Sequence, residues 1–375
     1  MRKYFHILVS IALAFASCDR PDSHPVTEPS VEPGMTVLTS RSGSMFITVD
    51  VPGEWTVSLD FGRETPWAEL GVTAGEGKRV DVDMYYDENT GDSSRSLRLV
   101  VTHQMGMVSC TITQYSTTAS DVVCDWMELP EVNIGANQHF FTHFQHMGKS
   151  IRSWSYLWDE NHLVAHWVAY PLNRSLIGSG SRTDEWGLDP KLPREKQPVL
   201  FEAFRGGYQR GHQIPSADRY DYEANVQTFY GTNMTPQKGG LNGGVWADLE
   251  TRVREWSYKF DTLYVVTGCT VKGSKDKAYD NDNKAVTVPS GYFKALLGYT
   301  KGGGLGIAPQ TGGYTGVAFY LDHFSYPSDY MEAAMTIDQL ESKTGFDFFV
   351  NLPHKITPTL ANKVEATRDN FWWNK

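Results

Sequence analysis

The stretch LNGGVWADLETRVREWSYKF, residues 241–260, decides how the second half of this chain is interpreted. Apolar side chains recur in it at helical spacing, at Trp246, Leu249, Val253 and Trp256. Side chains three and four residues apart share one face of an α-helix, so these four predict a buried stripe. The stretch therefore predicts a single amphipathic helix that packs against a sheet or another helix.

Polar residues in the same stretch indicate chemistry on that helix. Glu250 and Arg254 are four residues apart and share a face, and Asn242 lies little more than two turns earlier. The side-chain carbonyl of Asn242 is a hard ligand suited to Mg²⁺, and a helix start near it favours a bound phosphate. Taken singly, Asn242 is typical of a helix cap and the Glu250–Arg254 pair is typical of a surface ion pair.

A second polar stretch, GGYQRGHQIPSADR at residues 206–219, contains one histidine between glycines and arginines. A neutral imidazole accepts a proton from water near physiological pH, so His212 is a candidate general base. A lone histidine is more often structural, and only the combination of His212 with Asn242, Glu250 and Arg254 favours a catalytic site. The fork-shaped guanidinium of Arg254 fits phosphate oxygens, and the four residues together predict a one-metal phosphodiesterase.

Several motifs in this region occur in the order of a known family. RGHQIPSADR, NMTPQ and LNGGVWADLE, followed by Arg254, resemble the DNA/RNA non-specific endonuclease family, which has a ββα-metal active site. HWVAYPL, VVTG, VPSGYFKALL and TGFDFFVNLP extend the resemblance over most of residues 139–355. The resemblance implies a metal-dependent enzyme that cleaves DNA and RNA with little sequence preference and leaves 5′-phosphates.

The resemblance also implies roles for individual residues and a cofactor. Mg²⁺ is the implied metal, with Mn²⁺ as its substitute. The implied roles are general base for His212, direct metal ligand for Asn242, orientation of metal-bound water for Glu250, transition-state stabilisation for Arg254, and motif arginine and supporting asparagine for Arg210 and Asn233.

Gln209 departs from the family pattern, which usually has Asp at this position. A glutamine donates and accepts hydrogen bonds but carries no charge. The departure puts the metal preference and the rate in question more than the type of reaction.

The first half of the chain reads differently. Short alternating segments such as WTVSLDF and SLRLVVT, separated by turn clusters, predict a small β-sandwich. Trp55, Pro66-Trp67, Asn89, Arg95 and Gln114 resemble the BACON family of secreted bacterial proteins, which implies a glycan partner. The alternative is that Trp55 and Trp67 are core or turn-packing aromatics and that the domain is a spacer.

The sequence predicts an α+β protein in which the small β-sandwich precedes a ββα-metal nuclease domain with a central antiparallel sheet and flanking helices. The predicted divisions are a leader at 1–18, a flexible tether at 19–34, the sandwich at 35–118, a linker at 119–138 and the nuclease domain at 139–375. The second interpretation is a surface carbohydrate- or mucin-binding lipoprotein whose nuclease-like domain is catalytically weak.

The chain begins with features of an export signal. Arg2 and Lys3 precede an apolar run, and Ala16-Ser17-Cys18 resembles a lipobox, which implies lipidation of Cys18 in a bacterial lipoprotein. An ordinary secretory signal is the alternative. We expect an exported protein, tethered through its lipid to the outer membrane and facing the periplasm or the cell surface. Cys110, Cys124 and Cys269 remain, and the sequence does not choose a disulfide among them.

The net charge of −10 is unusual for a protein that binds nucleic acids, but its distribution matters. Residues 19–128 contain 18 acidic and 7 basic residues, a net charge of −11. Residues 129–375 contain 26 acidic and 25 basic residues, a net charge of −1, so this half can still hold a basic groove.

Overall fold

In the computed structural model, the described residues are 29–373 apart from positions 35, 39, 41, 78, 92, 117–125, 133–134, 136, 148–149 and 303–310. The predicted leader, with Cys18, lies outside the described residues, as does Cys124. Cys110 and Cys269 are free thiols, one in each half of the chain. No helix in the described part of the chain is long and apolar enough to span a membrane.

The first half of the chain is made of short strands, as predicted. Their bounds are β1 (Ser30–Pro33), β2 (Val37–Leu38), β3 (Gly43–Asp50), β4 (Glu54–Asp60), β5 (Ala68–Leu70), β6 (Ala74–Glu76), β7 (Val80–Tyr86), β8 (Arg95–His103) and β9 (Gly106–Gln114). They form two sheets, with the strand orders β1-β3-β7-β5 and β2-β9-β8-β4-β6. The alternating apolar residues of both sheets meet in a shared core, because successive side chains of a strand point to opposite faces.

Trp55 and Trp67 both belong to this core, with 3% and 2% of their surface exposed. Trp67 packs edge-on against Phe61, and the guanidinium of Arg95 lies 4.6 Å from its ring centroid. The packing interpretation of these two aromatics is therefore confirmed, since neither ring presents a face to solvent.

The second half is built on one large antiparallel sheet. Its strands are β10 (Gln138–His146), β11 (Ser150–Asp159), β12 (Val164–Leu172), β15 (Thr262–Thr270), β18 (Gly291–Tyr299), β19 (Tyr314–Asp322) and β20 (Ala334–Met335), adjacent in that order. Two short ribbons stand beside it, β13 (Gln209–His212) with β14 (Met234–Gln237), and β16 (Lys277–Tyr279) with β17 (Ala285–Thr287). The predicted α+β class and the central antiparallel sheet are confirmed.

Helices cover both faces of this sheet. They are α1 (Arg174–Ile177), α2 (Tyr222–Gln227), α3 (Gly239–Asn242), α4 (Val245–Ser257), α5 (Ile337–Thr344), α6 (Leu352–Lys355), α7 (Pro358–Ala366) and α8 (Asn370–Trp373). The apolar stripe of α4 packs on one face, and α5 to α7 pack on the other. Because both faces are covered, a central strand such as β18 is apolar almost throughout rather than alternating.

The predicted helix over residues 241–260 is split in two, and the single-helix prediction is wrong in this respect. Trp246, Leu249, Val253 and Trp256 form the buried stripe as expected, but α4 begins only at Val245. The residues Gly243-Gly244 interrupt the helix, since glycine loses more conformational freedom in a helix than any other residue. Asn242 is consequently the last residue of α3 and not the first residue of the long helix.

Two predicted segment boundaries need correction. The tether was expected to extend to residue 34, but β1 pairs with β3 across Ser30↔Asp50 to Pro33↔Ile47 and is part of the first sheet. The linker was expected to extend to residue 138, but Met127 and Leu129 are buried in the core that lies beneath α5 to α7. Both segments are polar in overall composition, but each contains residues that pair or pack with distant parts of the chain. Local composition does not indicate such contacts.

The two halves are in direct contact. Phe46 stacks on Phe141 with ring centroids 4.7 Å apart. Beside them, Lys191 Nζ lies 2.7 Å from Asp81 Oδ2, and Arg79 donates to the carbonyl oxygen of Phe144 at 2.8 Å. An apolar contact, an ion pair and a hydrogen bond therefore hold the N-terminal β-domain against the large sheet.

Candidate active site

Residues of β13, α3, α4 and the neighbouring loops line a cavity of about 430 Å³. The ribbon β13–β14 pairs His212 with Met234 and Gln209 with Gln237, and the chain then continues directly into α3 and α4. This is a ββα arrangement that gathers residues distant in sequence. Of the seven residues predicted for the site, six line the cavity, namely Gln209, Arg210, His212, Asn242, Glu250 and Arg254.

His212 lies between two aromatic rings and next to two cations. Its ring centroid is 5.7 Å from that of Trp186 and 5.4 Å from that of Phe229. Burial, followed by the charges of Arg182 and Arg210, lowers the pKa of His212 to about 3, so the imidazole is neutral at physiological pH.

The neutral ring leaves one nitrogen free to accept a proton. Among the described residues, Nε2 of His212 has no hydrogen-bond partner. The ring also makes a hydrogen bond to the backbone of Arg210. This bond raises the pKa of His212, so the ring donates it to a carbonyl oxygen. Since Nε2 is unbonded, that donor is Nδ1, and Nε2 carries the lone pair.

Asn233 does not line the cavity but holds the loop that follows His212. Its Oδ1 accepts from the backbone N–H of Ile214 at 2.9 Å, and its Nδ2 donates to the carbonyl oxygens of Ile214 at 2.9 Å and Thr228 at 2.8 Å. The side chain is fully buried. Asn233 therefore fixes the end of β13 and with it the position of His212.

Gln209, the departure from the family pattern, contacts the predicted metal ligand directly. The amide Nδ2 of Asn242 donates to Oε1 of Gln209 at 2.8 Å. This bond orients the Asn242 amide and leaves its Oδ1 available as an oxygen ligand. The role requires only an acceptor at position 209, which either a glutamine or an aspartate supplies.

Buried charged residues lie next to Glu250 and Arg254. Arg254 Nη1 lies 3.1 Å from Asp218 Oδ1, and the other oxygen of Asp218 accepts from the hydroxyl of Tyr170 at 2.8 Å. Burial raises the pKa of Glu250, while the charges of Lys294 and Arg254 oppose that rise. The guanidinium thus keeps a fixed position beside the cavity.

Lys294 is a buried cation of this network that no motif or spacing in the sequence indicated. It lies in the middle of β18, and its Nζ donates to Thr267 Oγ1 at 3.1 Å and stands 4.5 Å from the ring centroid of Trp246. A single lysine inside the apolar run GYFKALLGY is the signal that could have identified it. Its charge beneath α4 offsets those of Glu250 and Asp218.

Arg182 and Trp186 were also missed, and both line the cavity. Arg182 Nη1 donates to Ser216 Oγ at 2.9 Å, and the guanidinium of Arg210 lies 3.4 Å from the ring centroid of Trp186. Arg210 also donates to the carbonyl oxygens of Leu200 and Phe201 at 3.0 Å. Arg182 and Trp186 lie in an irregular loop without hydrophobic periodicity, so no sequence pattern indicated them.

The donor atoms around the cavity suit a hard divalent ion. Across the described residues, no three His, Cys, Asp or Glu side chains converge as a metal cluster. Asn242 offers its Oδ1, since its amide Nδ2 is bonded to Gln209, the carboxylate of Glu250 lines the same cavity, and the cavity has room for water. Mg²⁺ prefers oxygen ligands and keeps several waters, so this donor set fits such an ion.

Comparison with known proteins agrees with this geometry. The sequence model of the DNA/RNA non-specific endonuclease family matches residues 148–355. A nuclease of Nostoc sp. is 34% identical over 210 residues, which are 55% of this chain and 73% of the relative. A nuclease of Serratia marcescens is 30% identical over 206 residues, which are 53% of this chain and 73% of the relative.

A solved structure titled "Crystal structure of the EndoG/EndoGI complex: Mechanism of EndoG inhibition" covers 57% of this chain and 89% of its own, at 20% identity and a TM-score of 0.43. The family match covers more than half of the chain and includes every residue that lines the cavity. This chain therefore belongs to the DNA/RNA non-specific endonuclease family, whose members are phosphodiester hydrolases.

Proposed function

We propose that this protein is an exported, membrane-tethered endonuclease that hydrolyses DNA and RNA with little sequence preference, depends on Mg²⁺ and leaves 5′-phosphates. The observation that carries the proposal is that His212, which is neutral and has a buried, unbonded Nε2, lines the same cavity as Asn242, Glu250 and Arg254. Buried polar atoms usually have a partner, so an unbonded ring nitrogen beside these three side chains is consistent with a role in catalysis.

In this proposal the residues act on a phosphodiester placed in the cavity. Nε2 of His212 takes a proton from a water molecule as the water oxygen attacks phosphorus. The bond from phosphorus to the 3′-oxygen breaks, so the phosphate stays on the 5′ side of the next nucleotide and the 3′-oxygen takes a proton from solvent. Glu250 orients water, and Arg254, fixed by Asp218, stabilises the extra negative charge.

Asn242 would hold the metal through its Oδ1. A bound Mg²⁺ supplies positive charge beside the phosphate and the departing oxygen. Gln209 keeps the Asn242 amide oriented, and Arg210 and Arg182 add positive charge to the lining of the cavity. Mn²⁺, which also accepts oxygen ligands, substitutes for Mg²⁺ in this scheme.

Low sequence preference follows from the kind of contacts available. Arginines and a metal ion recognise phosphate, which carries no sequence information. Substrate affinity should fall as salt rises, because phosphate binding releases counterions.

The test is a cleavage assay of the purified protein on plasmid DNA and on RNA, with Mg²⁺, Mn²⁺ or a chelator. We expect both substrates to be degraded only with a divalent ion, and the products to be joined by a ligase that requires 5′-phosphates. Intact DNA and RNA with every divalent ion would refute the proposal.

The location is a separate part of the proposal and rests on the sequence of the leader. Arg2 and Lys3, the apolar run and Cys18 support export and lipidation at Cys18, with the lipid holding the protein at the outer membrane. When cells are fed labelled palmitate, the parent protein in the membrane fraction should carry the label and the Cys18→Ser variant should not. Equal labelling of both would contradict the anchor. Glycan binding by a BACON-like N-terminal domain stays a prediction.

A further inference from the structure

A partly exposed aromatic and cationic surface lies beside β13 and α3, two of the elements that line the cavity. It consists of Tyr208, Lys238 and Phe324, called here the aromatic strip. Phe324 is 54% exposed and Lys238 is also exposed. The ammonium of Lys238 stands 5.0 Å from the ring centroid of Tyr208 and 5.7 Å from that of Phe324. The strip thus offers one positive charge between two aromatic rings.

A buried histidine fixes the strip in place. His323 Nδ1 donates to the carbonyl oxygen of Pro289 at 2.7 Å, and its Nε2 accepts from the backbone N–H of Lys238 at 2.8 Å. The ring of His323 also lies 4.6 Å from that of Phe324 and 6.1 Å from that of Tyr208. Both aromatic rings and the backbone of Lys238 therefore rest on the same rigid support.

The strip adjoins the catalytic residues along the chain and in space. Tyr208 directly precedes Gln209, and Lys238 directly precedes α3, whose last residue is Asn242. A helix of this length rises roughly 6 Å. The backbone of Lys238 therefore lies about one helical turn from that of Asn242.

Single exposed aromatics are common on protein surfaces and need no explanation. Two rings with a lysine between them, next to a phosphodiesterase cavity, have the composition of surfaces that bind single-stranded nucleic acids. A base in a duplex has its faces covered by its neighbours, whereas an unpaired base has a free face that can stack on Phe324. The positive charge of Lys238 complements the adjoining phosphate.

We propose that the aromatic strip is a subsite for an unpaired nucleotide next to the scissile phosphate, and that it favours single-stranded substrates. This rests on the proposed function, since Asn242 and His212 mark the position of the scissile phosphate.

The test measures equilibrium binding of the full chain carrying His212→Ala, so that the ligand stays intact. The ligands are a fluorescently labelled 12-nucleotide single strand, its duplex, and an abasic strand of the same length. Phe324→Ala should weaken single-strand binding about 5- to 50-fold, as expected for the loss of one base–aromatic stack. Duplex and abasic binding should change less than about twofold, because neither ligand stacks a base there.

Two further variants and a control separate stacking from charge. Phe324→Trp should keep single-strand affinity, because its ring also stacks. Lys238→Gln should weaken all three ligands and reduce the slope of log affinity against log salt by about 1. Tyr85→Ala, which removes an aromatic that is 47% exposed in the N-terminal β-domain, should bind like the parent.

The strip proposal is overturned if Phe324→Ala binds the single strand as tightly as Tyr85→Ala does, or loses affinity equally for the abasic strand. Cleavage by the chain with an intact His212 is measured in parallel. Cleavage without the binding pattern refutes the strip alone, and the binding pattern without cleavage refutes the proposed nuclease function alone.

Discussion

His143 and His212 are both enclosed by aromatic rings, but they meet different partners. The ring of His143 lies against Trp154 at 4.4 Å and Tyr230 at 5.4 Å between centroids, and its Nε2 is 2.9 Å from Asp189 Oδ2. Nε2 of His212 has no partner within the described part of the chain, and its charged neighbours are cations.

The surroundings of the two histidines differ in the same way. Asp189 also accepts from the hydroxyls of Tyr156 and Thr232, each at 2.6 Å. Burial opposes its ionisation, but the charge and hydrogen bond of His143, with these hydroxyls, hold the pKa of Asp189 below its usual range. A network in which Asp189 meets three side-chain donors contributes to the fold, whereas the buried and unbonded Nε2 of His212 keeps its lone pair for a proton.

The largest expected effect is that of His212→Ala on activity. Loss of a general base lowers kcat about 10²- to 10⁴-fold. The measurement is initial cleavage rate on plasmid DNA at saturating Mg²⁺, with His354→Ala, at an exposed histidine, as the matched control. A His212→Ala variant with undiminished rate would end the proposed role of this residue.

His143→Ala should act on stability instead. Breaking a buried pair leaves Asp189 with one strong partner fewer, and the free energy of unfolding should fall by about 3 kcal/mol. Urea unfolding, with His212→Ala and His354→Ala alongside, measures the difference. If His143→Ala unfolds at the same urea concentration as His354→Ala, the pair does not stabilise the fold.

Gln209 tests how closely the cavity depends on the orientation of Asn242. Gln209→Leu removes the acceptor for the Asn242 amide and should reduce apparent Mg²⁺ affinity or activity about 10- to 100-fold, as loss of a ligand's supporting partner does. Gln209→Asp keeps an acceptor and should stay close to the parent. The measurement is activity against Mg²⁺ concentration, and equal curves for Leu and Asp would show that the hydrogen bond has no role.

The smallest effect concerns the pH dependence of activity. Because the pKa of His212 is lowered to about 3, its imidazole stays unprotonated from pH 7.5 down to pH 5. We therefore expect no acid loss of kcat from His212 in this range, where an ordinary histidine of pKa about 6.5 would be mostly protonated at pH 5. Rate profiles on a chemically stable DNA substrate measure this, and a half-maximal rate near pH 6.5 that Arg182→Gln shifts upward would contradict it.

The same lowered pKa has a consequence for stability. The unfolded imidazole binds a proton below pH about 6.5, whereas the folded one does so only near pH 3. Acidification between these values therefore favours unfolding, and stability falls as pH falls. His212→Ala should lose less stability than the parent between pH 6.5 and 4 in urea unfolding experiments. If the parent and His212→Ala lose the same free energy of unfolding between pH 6.5 and pH 4, the result would argue against the lowered pKa.

Much of the architecture could be predicted because it rests on local patterns. Alternation identified the short strands of the first half, and helical spacing identified the buried stripe of α4. The ends of elements were less predictable. The break at Gly243-Gly244 and the inclusion of β1 in the first sheet depend on backbone geometry and distant pairing, which a local pattern does not contain.

The candidate site divides in the same way. Residue types and their order pointed to His212, Asn242, Glu250 and Arg254, and all four line one cavity. No sequence pattern indicated Arg182, Trp186 or Lys294. An irregular loop brings Arg182 and Trp186 to the cavity, and a buried strand places Lys294 against Trp246 of α4.

The sequence by itself determined the class of fold, the family and the side chains able to perform the chemistry, since these depend on residue type and order. Only the tertiary structure decided which polar atoms are saturated and which are left free. It set the two histidines apart by placing one against Asp189 and the other beside Arg182 and Arg210. It also showed that Gln209, which departs from the family pattern, accepts a hydrogen bond from Asn242. Whether a polar atom is buried and hydrogen-bonded depends on contacts with residues far away in the sequence. The local spacing of residues does not contain this information.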